Sequence, residues 1–178
     1  MLVRLRGERG FGMLELLMAM TMLNIGILAL VASLQSGTVA LRRAGKVSTA
    51  SVLADSQMEL YRGLKYSAIA FDTTQWNTAT GVSTYTADPA YYANQSPQPS
   101  TPATLTCATP ISAHPECQPI QSITGPDRHR YRVDTYLVYD TPTNGRQLIK
   151  VTVVARDADD LTHFLARETS TFDQSTGQ

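Results

Sequence analysis

Glu15 is the side chain with the clearest chemical requirement in this 178-residue sequence. It is the single charged residue among the 24 positions from Phe11 to Leu34, a run dominated by leucine, methionine, alanine and isoleucine. A carboxylate inside a membrane helix costs about 2.5–3.5 kcal/mol on translocon-insertion scales, so such a group usually has a partner. The chemistry that Glu15 requires is therefore ion pairing with a cation.

The other reactive side chains form no recognisable catalytic set. The histidines are scattered among dissimilar segments, at His114, His129 and His163. Asp157, Asp159 and Asp160 suggest a calcium loop, but neither the glycine nor the glutamate that such a loop requires is present, and a solvated β-turn fits better. There is no phosphate-binding glycine loop, nucleophile elbow or zinc-ligand spacing. We therefore expect a protein that is not an enzyme, with no cofactor, metal site or small-molecule substrate.

The charge balance argues against nucleic acid as a partner. The chain has 15 basic and 15 acidic residues, and without residues 1–10 it would have 12 basic and 14 acidic ones. Nucleic-acid binding depends mainly on lysine and arginine side chains that neutralise phosphates. We expect no such binding.

The apolar run from Phe11 to Leu34 predicts a membrane-spanning helix. About 20 apolar residues cross the hydrocarbon core, and the run lacks the polar face of a helix buried in a small domain. A cleaved secretory signal would have a shorter apolar region that ends in a small-residue cleavage site. A permanent signal anchor explains the length and the basic flank, but it leaves Glu15 without a reason.

The segment from Arg9 to Leu17, with the sequence RGFGMLELL, resembles the processing site of type IV prepilins. In that family a short basic leader ends in glycine, the mature chain begins with phenylalanine, and glutamate is the fifth mature residue. The resemblance implies that residues 1–10 are a leader peptide. It also implies that prepilin peptidase cuts between Gly10 and Phe11 and methylates the Phe11 amine, and that Glu15 acts in assembly.

Cleavage after Gly10 would supply the cation that Glu15 requires. The new amine of Phe11 would lie on the same helical face as Glu15, four residues away, or the carboxylate could reach the amine of an adjacent subunit. The resemblance thus implies three partners: other pilin subunits in a helical filament, prepilin peptidase and the cytoplasmic membrane.

The sequence departs from the family pattern in two places. Gly12 stands where the family commonly has threonine, which weakens helix initiation. Ala32 stands where major pilins often carry a kinking proline, and the absence of this proline favours a minor pilin or pseudopilin over a main shaft subunit. The flanking charges do not orient the span, because three basic residues precede it and three follow it. The resemblance places the C-terminal part outside the cytoplasmic membrane, first as a single-pass protein and then in an extracellular or periplasmic filament.

Residues 35–70 predict an amphipathic continuation of the helix. An apolar stripe recurs at three- and four-residue intervals to about Ala68: Val47, Ala50, Ala54, Met58, Tyr61, Leu64 and Ala68. Such a stripe is typical of core packing.

Residues 71–127 predict a proline-rich, partly irregular loop region, since eight of the nine prolines lie between Pro89 and Pro126. Short strands are possible at 82–86 and 104–107. Cys107 and Cys117 would form a local disulfide if the domain is exported, and two free thiols if it is not. The aromatic side chains of this region are the candidate surface for recognising a partner: Tyr85, Tyr91 and Tyr92.

Residues 128–178 predict an antiparallel meander. Its strands run from Tyr131 to Tyr139, from Leu148 to Ala155 and from Leu161 to Phe172, with an Asn-Gly turn at 141–145. The alternation in the second strand predicts one buried face, with Ile149, Val151, Val153 and Ala155 on it and Lys150 and Thr152 on the other. Four basic side chains lie near its start: Arg128, His129, Arg130 and Arg132. Contact with DNA in an uptake pilus is one interpretation of this cluster, but protection of an exposed strand edge by charge is the plainer one. The helical stripe is the available cover for the inner face of the sheet.

The expected fold class is therefore α+β, a long N-terminal transmembrane spine helix packed on a C-terminal antiparallel sheet, which resembles the type IV pilin fold. The expected function is that of a filament subunit in a type IV pilus or a type II secretion system. The alternative is an uncleaved signal-anchored membrane protein with an extracytoplasmic, β-rich binding domain.

Overall fold

The computed structural model describes residues 12–142 and 145–174. The chain divides into two units, one that ends at Ala44 and one that begins at Gly45. In the first unit the described residues form the start of helix α1, whose full bounds are Met13–Arg62. Each described residue up to Ala44 is exposed, and the helix is long and apolar enough to span a membrane. The predicted membrane helix is thus present as a helix of sufficient length.

Helix α1 ends earlier than the apolar stripe predicts. It stops at Arg62, and a short 3₁₀ turn at Tyr66–Ala68 follows. The amide of Gly63 donates to the carbonyls of Glu59 and Leu60, and Lys65 then takes an extended conformation. Leu64 still packs against the core, so it keeps the stripe's apolar contact without extending the helix.

The second unit, here called the head, is built on a four-stranded antiparallel sheet. Its strands follow each other in chain order: β3 (Ile120–Thr124), β4 (Arg130–Asp140), β5 (Leu148–Asp157) and β6 (Asp160–Asp173). The three predicted strands of the meander are confirmed as β4, β5 and β6. Strand β3 lies in the region predicted to be loop, and two residues of the predicted Asn-Gly turn, Thr143 and Asn144, lie outside the described residues.

One face of this sheet, here called the helix face, packs against α1. Ala50, Ala54, Met58 and Tyr61 of α1 are buried. They share a core with buried side chains of β4 and β5: Val133, Leu137, Ile149, Val151, Val153 and Ala155. The side chains on β5 alternate as the sequence predicts, and the α+β fold class is confirmed.

The opposite face, here called the loop face, is also buried. The prediction of one buried face was wrong, because residues 71–119 fold over the other one. This covering layer comprises β1 (Phe71–Asp72), α2 (Thr73–Thr80), α3 (Ser83–Thr86) and β2 (Thr104–Leu105), followed by 3₁₀ turns. The segment expected as a strand at 82–86 is thus helical, and the one at 104–107 shortens to two residues.

Gly125 allows the turn between β3 and β4 to pass close to α1. A Cβ at this position would lie 2.9 Å from Cγ2 of Thr49 and 2.8 Å from Cε2 of Tyr131. Both distances are shorter than van der Waals contact, so any larger residue would overpack the site.

We expect Gly125→Ala to lower the free energy of unfolding by about 1–3 kcal/mol, the usual cost of overpacking. Urea unfolding of the full chain in detergent measures it. The matched control is Gly45→Ala, since a Cβ there meets no atom within 4 Å. Because alanine favours an exposed helix over glycine, this control should gain about 0.5–1 kcal/mol. Equal effects of the two substitutions would contradict the packing argument.

Candidate processing and assembly segment

Glu15 lies in the first turn of α1 and its side chain is exposed. Its backbone amide donates to the carbonyl of Gly12 at 2.9 Å, and the amide of Leu16 donates to the same oxygen at 3.1 Å. The helix therefore begins directly after Gly12. A carboxylate in the first turn is favourable, because unpaired N–H groups give a helix N-terminus a partial positive charge.

Within residues 12–142 and 145–174, no group pairs with the Glu15 carboxylate. Gly10 and Phe11, the predicted cleavage and methylation positions, lie outside the described residues. The pairing of Glu15 with the Phe11 amine thus stays a prediction. What the structure shows is the Glu15 carboxylate, which has no partner among the described residues and can accept one from outside them.

The apolar surface around Glu15 is extensive and uncovered in this chain. Large side chains on all sides of the helix are more than half exposed, among them Leu17, Met22, Leu28 and Leu34. Burial of such groups contributes about 25 cal/mol per Å² of apolar area. By length and composition this surface is compatible with a membrane-spanning segment.

Cys107 and Cys117 form a disulfide, as expected for an exported domain. The loop that it closes is attached to α1. Tyr61 donates its hydroxyl to the carbonyl of Glu116 at 2.7 Å, and Gln57 donates its side-chain amide to the carbonyl of Pro115 at 3.1 Å. Burial raises the pKa of Tyr61, so this hydroxyl remains a donor at physiological pH. The disulfide loop is therefore a fixed part of the head.

The aromatic cluster that the sequence suggested as a recognition surface is mainly core. Tyr85 and Tyr91 are buried, and only Tyr92 keeps partial exposure. Their rings surround Trp76, with centroid distances of 6.0–6.4 Å. Tyr85 donates its hydroxyl to the carbonyl of Thr135 on β4 at 2.6 Å. The cluster holds the covering layer on the loop face, so it is unavailable as a docking surface.

A network of five charged side chains on the loop face, four of them buried, was not predicted. Asp134 on β4 accepts from Nε of Arg132 at 2.7 Å and from Nη1 of Arg156 at 2.5 Å. Arg156 also donates to Asp88, which lies after α3, and Arg167 of β6 donates to both oxygens of Asp88 at 2.8 Å. Burial raises the pKa of Asp134, and the neighbouring arginines oppose this shift.

The position of Arg132 in this network differs from the exposed strand edge that was predicted for the basic cluster at residues 128–132. Arg132 lies on β4, between β3 and β5, and is buried. It was therefore wrong to place it on an exposed edge. The sequence signal for the network was Asp134, an acidic residue within β4, with Arg132 two residues before it; its other partner, Arg156, is 22 residues away along the chain.

Asp157 links the end of the β5–β6 hairpin to α1 through an ion pair. Its carboxylate accepts from Nζ of Lys46 at 2.8 Å and pairs with Nε2 of His129 at 2.7 Å. The predicted turn is confirmed, and in it the amide of Asp159 donates to the same carboxylate. His129, Asp157 and Asp159 bring potential metal ligands within 4.8 Å of one another, but Lys46 already neutralises the central carboxylate.

This ion pair predicts a loss of stability in acid. Although burial opposes it, hydrogen bonds from Lys46, Asp159 and His129 lower the pKa of Asp157 to about 2. Aspartate in an unfolded chain has a pKa of about 3.9, so the contribution is present above pH 4 and is lost as the pH falls towards 2. We expect a loss on the order of 2 kcal/mol over this range.

Urea unfolding at pH 5 and pH 2.5 checks this expectation, with Asp157→Asn and Asp159→Asn compared with the unaltered chain. The Asp157→Asn variant should be less stable at pH 5 and should lose less on acidification. The exposed Asp159 is the matched control, and its variant should behave as the unaltered chain does. An equal acid dependence in all three proteins would contradict the assignment.

Comparison of the chain with protein-family models, with curated proteins and with solved structures finds no match. The geometry on its own defines a class: a long, apolar N-terminal helix whose C-terminal part packs on an antiparallel sheet with a disulfide-closed loop. This arrangement is compatible with a pilin and with a signal-anchored protein.

Proposed function

We propose that this chain is a filament subunit, a minor pilin or pseudopilin of a type IV pilus or a type II secretion system. In this role it is inserted in the cytoplasmic membrane, cut after Gly10, methylated at Phe11 and assembled through Glu15. Its work is mechanical, and it has no enzymatic activity. The observation that carries the proposal is the exposed Glu15 carboxylate in the first turn of an otherwise apolar, uncovered helix.

The helix accounts for both environments that such a subunit meets. In the membrane, lipid covers the apolar side chains of residues 13–34, and the Phe11 amine compensates Glu15. In a filament, the helices of neighbouring subunits replace the lipid. The carboxylate then exchanges its own amine for that of a neighbour, which sets the register between subunits.

Two features of the head also support the proposed role: its packing against α1 and its disulfide. Residues 50–61, at the C-terminal end of α1, supply buried side chains to the core of the head. A pull on that helix is therefore transmitted to the sheet through packed side chains. The disulfide suits a domain that works outside the cytoplasm.

The alternative function is that of an uncleaved, signal-anchored protein whose head binds a partner outside the cell. The same helix supports it, because length and apolar composition alone are what a membrane anchor requires. The two functions differ in the fate of residues 1–10 and in the use of Glu15.

Mass spectrometry of the intact protein from cells with an active prepilin peptidase tests the proposal. We expect a product that begins at Phe11 and carries one additional methyl group. The control is the same gene in cells that lack the peptidase, where Met1 or its formyl-processed form should remain. Retention of residues 1–10 in the presence of the peptidase would refute the proposal and favour the signal anchor.

A further inference from the structure

An open cleft of about 600 Å³ lies on the head beside the buried charge network. Its walls come from the part of the covering layer that directly follows α3, at Ala87 and Pro89, and from the β5–β6 hairpin, at Leu161 and Phe164. Arg156, Arg167 and Asp88 line it as well, together with the hydroxyl-bearing residues Thr84 and Thr162. The cleft is thus apolar along its walls and basic at one end.

The network at that end has more positive than negative groups. Its ion pairs join three guanidinium groups, those of Arg132, Arg156 and Arg167, to two carboxylates, those of Asp88 and Asp134. Two donors in it are buried without an acceptor in the described part of the chain, Nη2 of Arg132 and Nε of Arg156. Both of these atoms are enclosed in the head, so the feature that a ligand in the cleft meets is the net charge of the network, three guanidinium groups against two carboxylates.

Arg167 is the member of the network that a ligand can reach. Its side chain is 30% exposed, whereas those of Arg156 and Asp88 are 6% and 2% exposed. Only its Nη2 atom bonds to Asp88, and the described residues contain no hydrogen-bond partner for its Nε and Nη1 atoms. The Nε–H and Nη1–H groups point in different directions, so each can donate a separate charge-assisted hydrogen bond to a carboxylate oxygen.

An apolar surface adjoins the guanidinium group of Arg167. The guanidinium carbon of Arg167 lies 5.2 Å from the ring centroid of Phe164, and this phenylalanine is 57% exposed. Arginine and aromatic side chains are characteristic of the residues that dominate binding energy at protein interfaces.

We propose that this cleft binds an aspartate or glutamate side chain of a partner polypeptide, with the carboxylate on Arg167 and an apolar neighbour of that residue on Phe164 and Leu161. The occupant is a polypeptide because the cleft is open. Pockets for small molecules enclose most of the ligand surface, whereas an open cleft leaves room for a chain to enter and leave. The charge complementarity selects an acidic residue.

Nuclear magnetic resonance of the full chain in detergent tests this proposal. The probe is the peptide acetyl-Ala-Leu-Asp-Leu-Ala-amide, and its matched control has asparagine in place of aspartate. We expect the aspartate peptide to shift the Nε–Hε signal of Arg167 and the ring signals of Phe164 in a saturable manner. The asparagine peptide should bind about tenfold more weakly, because it forms no charge-assisted pair.

Three variants assign the effect. Arg167→Gln should remove the preference for the aspartate peptide, whereas Phe164→Ala should weaken both peptides to the same extent. Arg130→Gln removes an exposed arginine of the same sheet and should change neither affinity. Thermal unfolding of each variant confirms that the head remains folded.

Absence of a saturable shift, or equal affinities for the two peptides, would overturn the proposal. If sodium acetate and inorganic phosphate produced the same shifts at the same concentrations, the cleft would be a simple anion site and the proposal would also fail. The assay does not depend on cleavage at Gly10 or on filament assembly. Its outcome is therefore separate from that of the proposed filament function.

Discussion

The Asp134→Ala substitution is expected to lower the free energy of unfolding by about 3–5 kcal/mol, the usual cost of removing one partner of a buried ion pair. Asp134 is fully buried, and it accepts from both Arg132 and Arg156. Alanine would leave these two guanidinium groups inside the head with Asp88 as the remaining carboxylate of the network.

The reason for this loss is the charge left behind rather than the strength of the original pairs. Burial raises the pKa of Asp134, which means that keeping this carboxylate ionised inside the head is itself costly. Two buried guanidinium groups without it are more costly, because arginine cannot release its proton. A loss this large is a substantial part of the total stability of a domain, typically about 5–15 kcal/mol.

Urea unfolding of the full chain in detergent, followed by the fluorescence of the single tryptophan, Trp76, measures this effect. Trp76 packs in the aromatic cluster on the loop face, so it reports on the layer that covers the network. The control is Asp140→Ala at the exposed end of β4, which should change stability by less than about 0.5 kcal/mol. Similar losses in the two variants would show that Asp134 has no special role.

The Glu15→Ala substitution is expected to abolish incorporation into filaments while cleavage after Gly10 continues normally. Alanine keeps the helix and its apolar surface, and it removes the single charged side chain in residues 12–34, the one that we propose pairs with the Phe11 amine of a neighbour. Each incorporated subunit would then bury an unpaired amine. Breaking a buried pair in this way costs about 3–5 kcal/mol, which is enough to exclude a subunit from assembly.

Quantification of the subunit in sheared filaments and in membranes measures this effect, and mass spectrometry of the membrane fraction verifies cleavage. Asn24→Ala is the matched control, because it removes a polar but uncharged side chain from the same apolar segment. This control should enter filaments at the level of the unaltered chain. Unchanged incorporation of Glu15→Ala would mean that Glu15 has no role in assembly.

The elements whose pattern is local could be predicted from the sequence. Side chains at three- and four-residue intervals identified the face of α1 that is buried at Ala50, Ala54 and Met58. Alternation identified the helix face of β5, and the ten-residue separation of the cysteines was compatible with their disulfide. The helical and strand patterns can be recognised locally, because each arises from one helix or one strand, whose period determines which side chains point the same way.

The predicted C-terminal end of α1, at about Ala68, was wrong, because an apolar pattern indicates burial and not helical conformation. Leu64 continues the apolar stripe and packs on the core, although the helix stops at Arg62. An apolar pattern records which side chains are buried, and a chain that has left the helix can still bury the next one. Burial and helical conformation therefore coincide only where the backbone remains regular.

The sequence by itself determined the apolar helix, the position of Glu15 in it and the class of fold. Only the tertiary structure decided that the loop face is covered and that Asp134 joins Arg132, Arg156, Asp88 and Arg167 in one network. Asp88 and Arg167 are 79 positions apart, and no local pattern relates them. Such a pair forms because the covering layer and β6 meet over the same sheet, and burial then requires each charge there to have a partner.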